Sequence, residues 1–306
     1  INTSSVLASV LRSTSLSSSN TLPLSFPYVN VITLLQLICS SLFLYTLRRW
    51  KIISFAVDES LRADNNKLTL LVPYKTLLQT LPLALSYLLF MLVSMASVRG
   101  VNVPMYATLR RTTVAFTMVV EYLVARQKYS RRIVASVGVI ILGAFVAGAR
   151  DLSFDLYGYA VVLVSNICTA VYLASIARLG KSSGLNSFGL MWCNGIICGP
   201  ILLIWTFLQG DLQMLLNFPY LSSPGFQAVM LLSCIMAFFL NYTVFWNTAL
   251  NSALTQTICG NLKDVFTIGL GWLLFGGLPF DWFNILGQGL GLFGSCLYAY
   301  YKFKGQ

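Results

Sequence analysis

The chain has 306 residues, of which 57% are apolar and only 9% charged, and its mean hydropathy is +0.76. A soluble domain carries about a quarter of its residues as charges, so this composition excludes an ordinary water-soluble fold. The net charge of +11 does not indicate a nucleic-acid partner, because most basic residues stand in short links between apolar runs, the pattern of membrane topology. Residues 1–26 hold nine serines, three threonines and Arg12 and do not read as a span. Apolar runs of about 20 residues, long enough to cross a hydrocarbon core of about 30 Å, then recur to the end. Spans are predicted at roughly 27–47, 74–98, 103–125, 133–149, 156–178, 187–208, 225–248, 253–274 and 281–301. The chain opens on Ile1 rather than Met, so a further first helix is expected to be degenerate or missing.

The class is therefore an all-α polytopic membrane protein. Seven cysteines (Cys39, Cys168, Cys193, Cys198, Cys234, Cys259, Cys296) sit in apolar runs without CxxC spacing, and histidine is absent. No disulfide framework, metal site or cofactor is indicated.

Charge in the links sets an orientation. Arg48, Arg49, Lys51, Arg62, Lys67, Lys75, Arg126, Lys128, Arg131, Arg132, Arg178, Lys181, Lys302 and Lys304 share one side. The other side offers only Arg99 and Arg150, beside Asp151, Asp155, Asp211 and Asp281. Positive charge stays inside, so the C-terminus is predicted to be cytosolic. Internal symmetry is also visible at an offset of 153 residues: Leu109-Arg110 meets Leu262-Lys263, and Gly138 meets Gly291. Copies five spans apart must have opposite topology, the pattern of inverted-repeat transporters. Residues 27–306 are read as one transmembrane domain with half-repeats at about 27–150 and 151–306.

Arg110, Arg111 and Lys263 lie deep in their spans, about 11 Å from the luminal end and about 15 Å from the cytosolic end respectively. A cation at a helix centre costs on the order of 3 kcal/mol. The plain alternative is internal pairing, but Asp264 can neutralise one of the three at most. Glu121 lies ten residues past Arg111, about 15 Å along the helix, and cannot pair locally. The deep cations outnumber the anions able to neutralise them, which predicts a cavity for an anion. Two guanidinium forks and one ammonium suit a diphosphate better than a monocarboxylate.

Gly260, before Asn261-Leu262-Lys263, would let a ligand approach the backbone or open the helix; helix packing explains such a glycine equally well. Asn194, in Met191-Trp192-Cys193-Asn194-Gly195, can read a base or ribose edge or simply bond a neighbouring helix. Tyr106, Tyr242 and Trp192 are candidates to stack on a base, with packing as the commoner role of such rings. Glycine stripes at Gly287-Gln288-Gly289-Leu290-Gly291 and from Gly138 to Gly148 predict close helix approach.

Several motifs extend this reading: Val103-Pro104-Met105-Tyr106 with Leu109-Arg110-Arg111, Ile140-Ile141-Leu142-Gly143-Ala144-Phe145, Gly210-Asp211-Leu212-Gln213, Asn251-Ser252-Ala253-Leu254-Thr255 and Gly260-Asn261-Leu262-Lys263-Asp264. On these, the chain from residue 26 onward resembles the nucleotide-sugar transporters of the drug/metabolite transporter superfamily, nearest the UDP-glucuronate/UDP-N-acetylglucosamine branch. The resemblance implies a ten-helix fold of two inverted five-helix repeats, with nine clear spans here. It implies exchange of a cytosolic nucleotide sugar for a luminal nucleoside monophosphate, by a carrier and not an enzyme. The GDP-mannose carriers have a Phe-Tyr-Asn-Asn motif at the base and a Gly-Ala-Leu-Asn-Lys motif near the sugar and phosphates. Here Met191-Trp192-Cys193-Asn194 keeps only the last asparagine of the first. Gly260 to Asp264 carries the lysine of the second one position earlier. Both departures favour a UDP-sugar, best UDP-N-acetylglucosamine, with UMP as the exchanged nucleotide. The candidate substrate-binding residues are Arg110, Arg111, Asn194, Gly260, Asn261, Lys263, Tyr106 and Tyr242. The Lys302-Phe303-Lys304-Gly305-Gln306 tail resembles a dilysine retrieval signal, from which a Golgi or endoplasmic reticulum membrane is expected; ordinary positive-inside charge explains the two lysines equally well. Membrane lipid and a second copy of the chain are further candidate partners. The competing readings are a GDP-mannose or other nucleotide-sugar carrier, a sugar-phosphate/phosphate translocator and, last, a membrane-embedded transferase. The last would have only Glu121 and Asp264 as acids within spans.

Overall fold

In hydrocarbon a peptide amide has no water to bond, so an apolar run must satisfy its own backbone as helix. The computed structural model follows this rule and describes residues 29–55, 72, 74–100, 103–148, 156–216, 221–275 and 282–304. In chain order the helices are α1 (Val29–Arg49), α2 (Tyr74–Gln79), α3 (Leu81–Gly100), α4 (Val103–Arg110), α5 (Thr113–Ala125), α6 (Arg131–Gly148), α7 (Leu156–Ser182), α8 (Ser187–Leu208), α9 (Asp211–Leu216), α10 (Pro224–Leu250), α11 (Ala253–Phe275) and α12 (Trp282–Lys304). Among the described residues five are long and apolar enough to cross a membrane: α1, α6, α7, α8 and α10. Their outward faces carry large apolar side chains such as Leu42, Phe145, Ile204, Phe207 and Leu231. The polar segment 1–26 lies outside the described residues, as do Arg62, Lys67, Arg150, Asp151, Asp155 and Asp281.

Two predicted runs are each divided into two helices. The run from Tyr74 breaks at Thr80, whose Oγ1 donates to the Leu77 carbonyl at 2.8 Å. Pro82 follows at a first-turn position, the one place in a helix where its missing N–H costs little. The run from Val103 breaks at Arg111-Thr112.

The chain forms two compact units, each drawing on both sequence halves: residues 1–85 with 179–246, and 86–178 with 247–306. In the first unit α1 packs against α8. Helix α1 ends in a Schellman turn, in which Ile52 N bonds Leu47 O and Lys51 N bonds Arg48 O, both at 3.0 Å. Lys51 takes the left-handed position with φ 59°, a site that glycine more often fills. Asn186 caps α8, its side chain accepting from Gly189 N at 2.9 Å. Polar ties join distant segments, Gln36 to Ser233 at 2.8 Å and Asn30 to Asp211 at 2.9 Å.

The second unit is held by a glycine seam. Apolar burial cannot drive helix association in lipid, so close packing must. A Cβ on Gly143 would stand 2.7 Å from the Gly287 carbonyl oxygen, and one on Gly294 would stand 2.7 Å from Ile140. Helices α6 and α12 therefore touch backbone to backbone, as the glycine stripes predict. Gly138 and Gly289 have open space at the Cβ position and stand outside the seam. Beside it, Val114, Val137, Ile140, Leu254, Ile258 and Tyr298 join α5, α6, α11 and α12 in one buried cluster.

Candidate anion-binding site

The arginine pair sits at the break between α4 and α5. The amides of Arg111, Thr112, Val114 and Ala115 bond to carbonyls three residues back, at 3.2, 3.1, 3.3 and 3.0 Å. This is a turn of 3₁₀ type inside an otherwise α-helical run, a feature that often marks a functional hinge. The sequence dictates it locally, because two adjacent threonines turn their hydroxyls back on the chain. Thr112 Oγ1 donates to Leu109 O at 2.7 Å and Thr113 Oγ1 to Arg110 O at 2.5 Å, the back-bonding that bends helices.

Both arginines are shaped by this break. Arg111 is 2% exposed, the largest fully buried side chain among the described residues. Its guanidinium lies against Gly291 of α12, with Nη1 3.1 Å from where a Cβ would stand. Asn261 of α11 donates its Nδ2 to the Arg111 carbonyl at 3.4 Å. Arg110 is partly buried; its Nη1 donates to the Tyr106 hydroxyl at 2.6 Å, and the guanidinium sits 5.8 Å from that ring's centre. Tyr106, Arg110, Arg111 and Asn261 are thus brought together, with Tyr106 engaged by arginine. Lys263 is exposed. It follows Asn261 by two residues, about 200° around the helix, and so occupies another face of α11. Gly260 has nothing within 4 Å of its Cβ position, so packing does not explain that glycine and space beside it is open.

Asn194 and Tyr242 belong to the other unit. Asn194 is buried on α8, and its Oδ1 accepts from the Cys198 thiol at 3.6 Å. Tyr242 is stacked on Phe188 at 4.4 Å between centroids and parallel to Trp246 at 6.2 Å. Trp192 stacks on Phe55 at 5.5 Å, and its Nε1 has no hydrogen-bond partner among the described residues.

Two further polar residues matter here: Asn166, which the sequence reading does not single out, and Glu121, whose role it leaves unassigned. Asn166 of α7 donates Nδ2 to Leu109 O at 3.0 Å and to Thr112 Oγ1 at 3.1 Å, and is 2% exposed. Its only sequence signal is a lone amide inside an apolar span, which is costly unless bonded. Glu121, the other, has a structural task. Its carboxylate accepts the amides of Ala253 and Leu254 at 3.1 and 3.0 Å, and the Tyr129 hydroxyl at 2.5 Å. It caps the start of α11, which accounts for an acid buried within this span. Burial first, and then the bond to Glu121, push the Tyr129 phenol far above its ordinary range.

Residues 19–299 match the Triose-phosphate Transporter family. The chain belongs to that family. As a member of the Triose-phosphate Transporter family it is a carrier and not an enzyme, as the motifs imply. It is 69% identical over 281 residues, 92% of its length, to the UDP-N-acetylglucosamine transporter UGNT1 of Arabidopsis thaliana, of which 81% is covered. It is 31% identical to the UDP-sugar transporter sqv-7 of Caenorhabditis elegans, over 92% of this chain and 82% of that one. The GDP-mannose transporter GONST1 of Arabidopsis thaliana is more distant, 26% identical over 63% of this chain and 60% of that one.

Proposed function

We propose that this chain is a nucleotide-sugar antiporter that carries UDP-N-acetylglucosamine from the cytosol into the Golgi or endoplasmic reticulum lumen in exchange for UMP. The observation that carries the substrate is the 69% identity over 92% of the chain to a protein named for that sugar. The geometry supplies the means. A guanidinium buried at a helix break beside a tyrosine-held neighbour is a preformed positive field for a diphosphate. Arg110 and Arg111 set that field, Lys263 meets the diphosphate as a mobile point charge, and open space beside Gly260 leaves room for the sugar-phosphate end. The bundle is read as nine crossings with half-repeats at about 27–150 and 151–306, the tail cytosolic, and the site alternately open to each side.

The family's own name favours a second reading, a sugar-phosphate/phosphate exchanger. Counterflow in liposomes separates the two. Vesicles loaded with UMP should accumulate UDP-N-acetylglucosamine and be competed by UMP but not by triose phosphate. Faster import of GDP-mannose into GMP-loaded vesicles, or exchange driven by inorganic phosphate alone, would defeat the proposal.

A further inference from the structure

We propose that Asn166 of α7 is a positioning residue that sets the direction of the Arg110–Arg111 pair by holding the break between α4 and α5; this rests on the reading that the pair faces the transported anion. The carboxamide spans the break. One bond goes to Leu109 O in the last turn of α4, at 3.0 Å, and the other to Thr112 Oγ1 within the break, at 3.1 Å. That same hydroxyl donates to Leu109 O at 2.7 Å, so Asn166, Thr112 and Leu109 form a closed polar triangle opposite the two arginines. A second buried amide, Asn261, holds the Arg111 carbonyl from α11 at 3.4 Å.

The consequence for the arginines is geometric. Successive side chains are about 100° apart on an α-helix and about 120° apart on a 3₁₀ turn. The break therefore changes both the angle between the guanidiniums and the depth of everything beyond it. Thr112 alone can donate only one hydroxyl proton, and a lone threonine back-bond bends a helix without fixing the bend. Asn166 is 2% exposed and brings two donors from another helix, which pins the break in one arrangement. With apolar bulk in its place, the turn is free to relax towards α geometry and the guanidiniums rotate with it.

The test is equilibrium binding of UMP and of uridine to the purified full chain in lipid nanodiscs. Misplaced arginines weaken only the ligand with a phosphate, whereas general loosening weakens both. Asn166→Leu, near in volume but without donors, should lose about tenfold to a hundredfold in UMP affinity while uridine binding changes less than twofold. Unchanged UMP binding in a folded Asn166→Leu protein, or equal loss of both ligands, would overturn the inference. If Asn166→Leu does not fold, Thr112→Val removes the same contact from the other side and should show the same selective loss. Failure of both variants to fold would overturn it too, making the triangle a requirement of the helix and not of the arginines. A wild-type chain that binds neither ligand overturns the function proposed above and carries this inference with it. Wild-type binding retained in both variants overturns this inference alone.

Discussion

Arg111 lies close against Gly291: a Cβ on that glycine would stand 3.1 Å from the guanidinium nitrogen. Few real Cβ contacts are that short, so a methyl group at position 291 must push the guanidinium aside by a few tenths of an ångström. Gly291→Ala should therefore weaken UMP binding several-fold, and Gly291→Val more. Gly289, two residues earlier with open space at its Cβ position, is the control, and Gly289→Ala should bind normally. Titrating UMP into all three variants checks this. Equal behaviour of Gly291→Ala and Gly289→Ala would contradict the contact.

Glu121 predicts the opposite separation. Its two bonds to the first amides of α11 are charge-assisted, each contributing about 1.5–3 kcal/mol. Glu121→Gln keeps one acceptor but turns an NH₂ group towards an amide. It should lower the melting temperature clearly and leave ligand affinity in the folded protein within about twofold. Loss of affinity without loss of stability would place Glu121 in the anion site instead.

Tyr129 gives a pH dependence. Its folded phenol titrates far above the unfolded value near 10 because of burial and the Glu121 contact. The folded state holds that proton more tightly, so the contribution is fully present below pH 10 and is lost as pH rises beyond it. Melting temperatures measured from pH 8.5 to pH 11 should decline less steeply in Tyr129→Phe than in the natural chain. Identical slopes would contradict the assignment.

Orientation is testable in the link after α8. With a cytosolic tail, the α9 segment faces the lumen. A cysteine at exposed Gln213, in a chain lacking Cys259 and Cys296, should resist an impermeant thiol reagent in sealed Golgi-derived vesicles. It should react once detergent opens them. Labelling in sealed vesicles would invert the topology.

The helical character of the apolar runs, the glycine stripes behind the α6–α12 seam and the arginine pair were legible because each is a pattern within a single span. Composition gives the helix, small residues give the close approach, and a charge inside an apolar run marks itself. What escaped depends on partners far along the chain. Asn166 meets Leu109 across 57 residues and Glu121 meets Ala253 across 132. No local pattern distinguishes an asparagine that clamps a helix break from one that only bonds a neighbour. The two threonines after Arg111 hinted at the bend, yet threonine is ordinary in such helices. Tyr106 and Tyr242 are candidate rings for a base with packing as the commoner role of such residues, and here Tyr106 holds Arg110, one turn on, while Tyr242 stacks with Phe188 and Trp246.

The central claim is that deep cations of this carrier grip a nucleotide diphosphate, and Lys263→Ala tests it most directly. Uptake of UDP-N-acetylglucosamine should be measured in UMP-loaded liposomes, beside expression and melting temperature of the same preparation. Removing an intramembrane cation relieves an insertion cost, so the variant should insert and fold. Exchange should be abolished, and Lys263→Arg should restore it only in part, because a planar fork does not occupy the ammonium's place. A well-folded Lys263→Ala protein that exchanges UDP-N-acetylglucosamine for UMP at the natural rate would contradict the account.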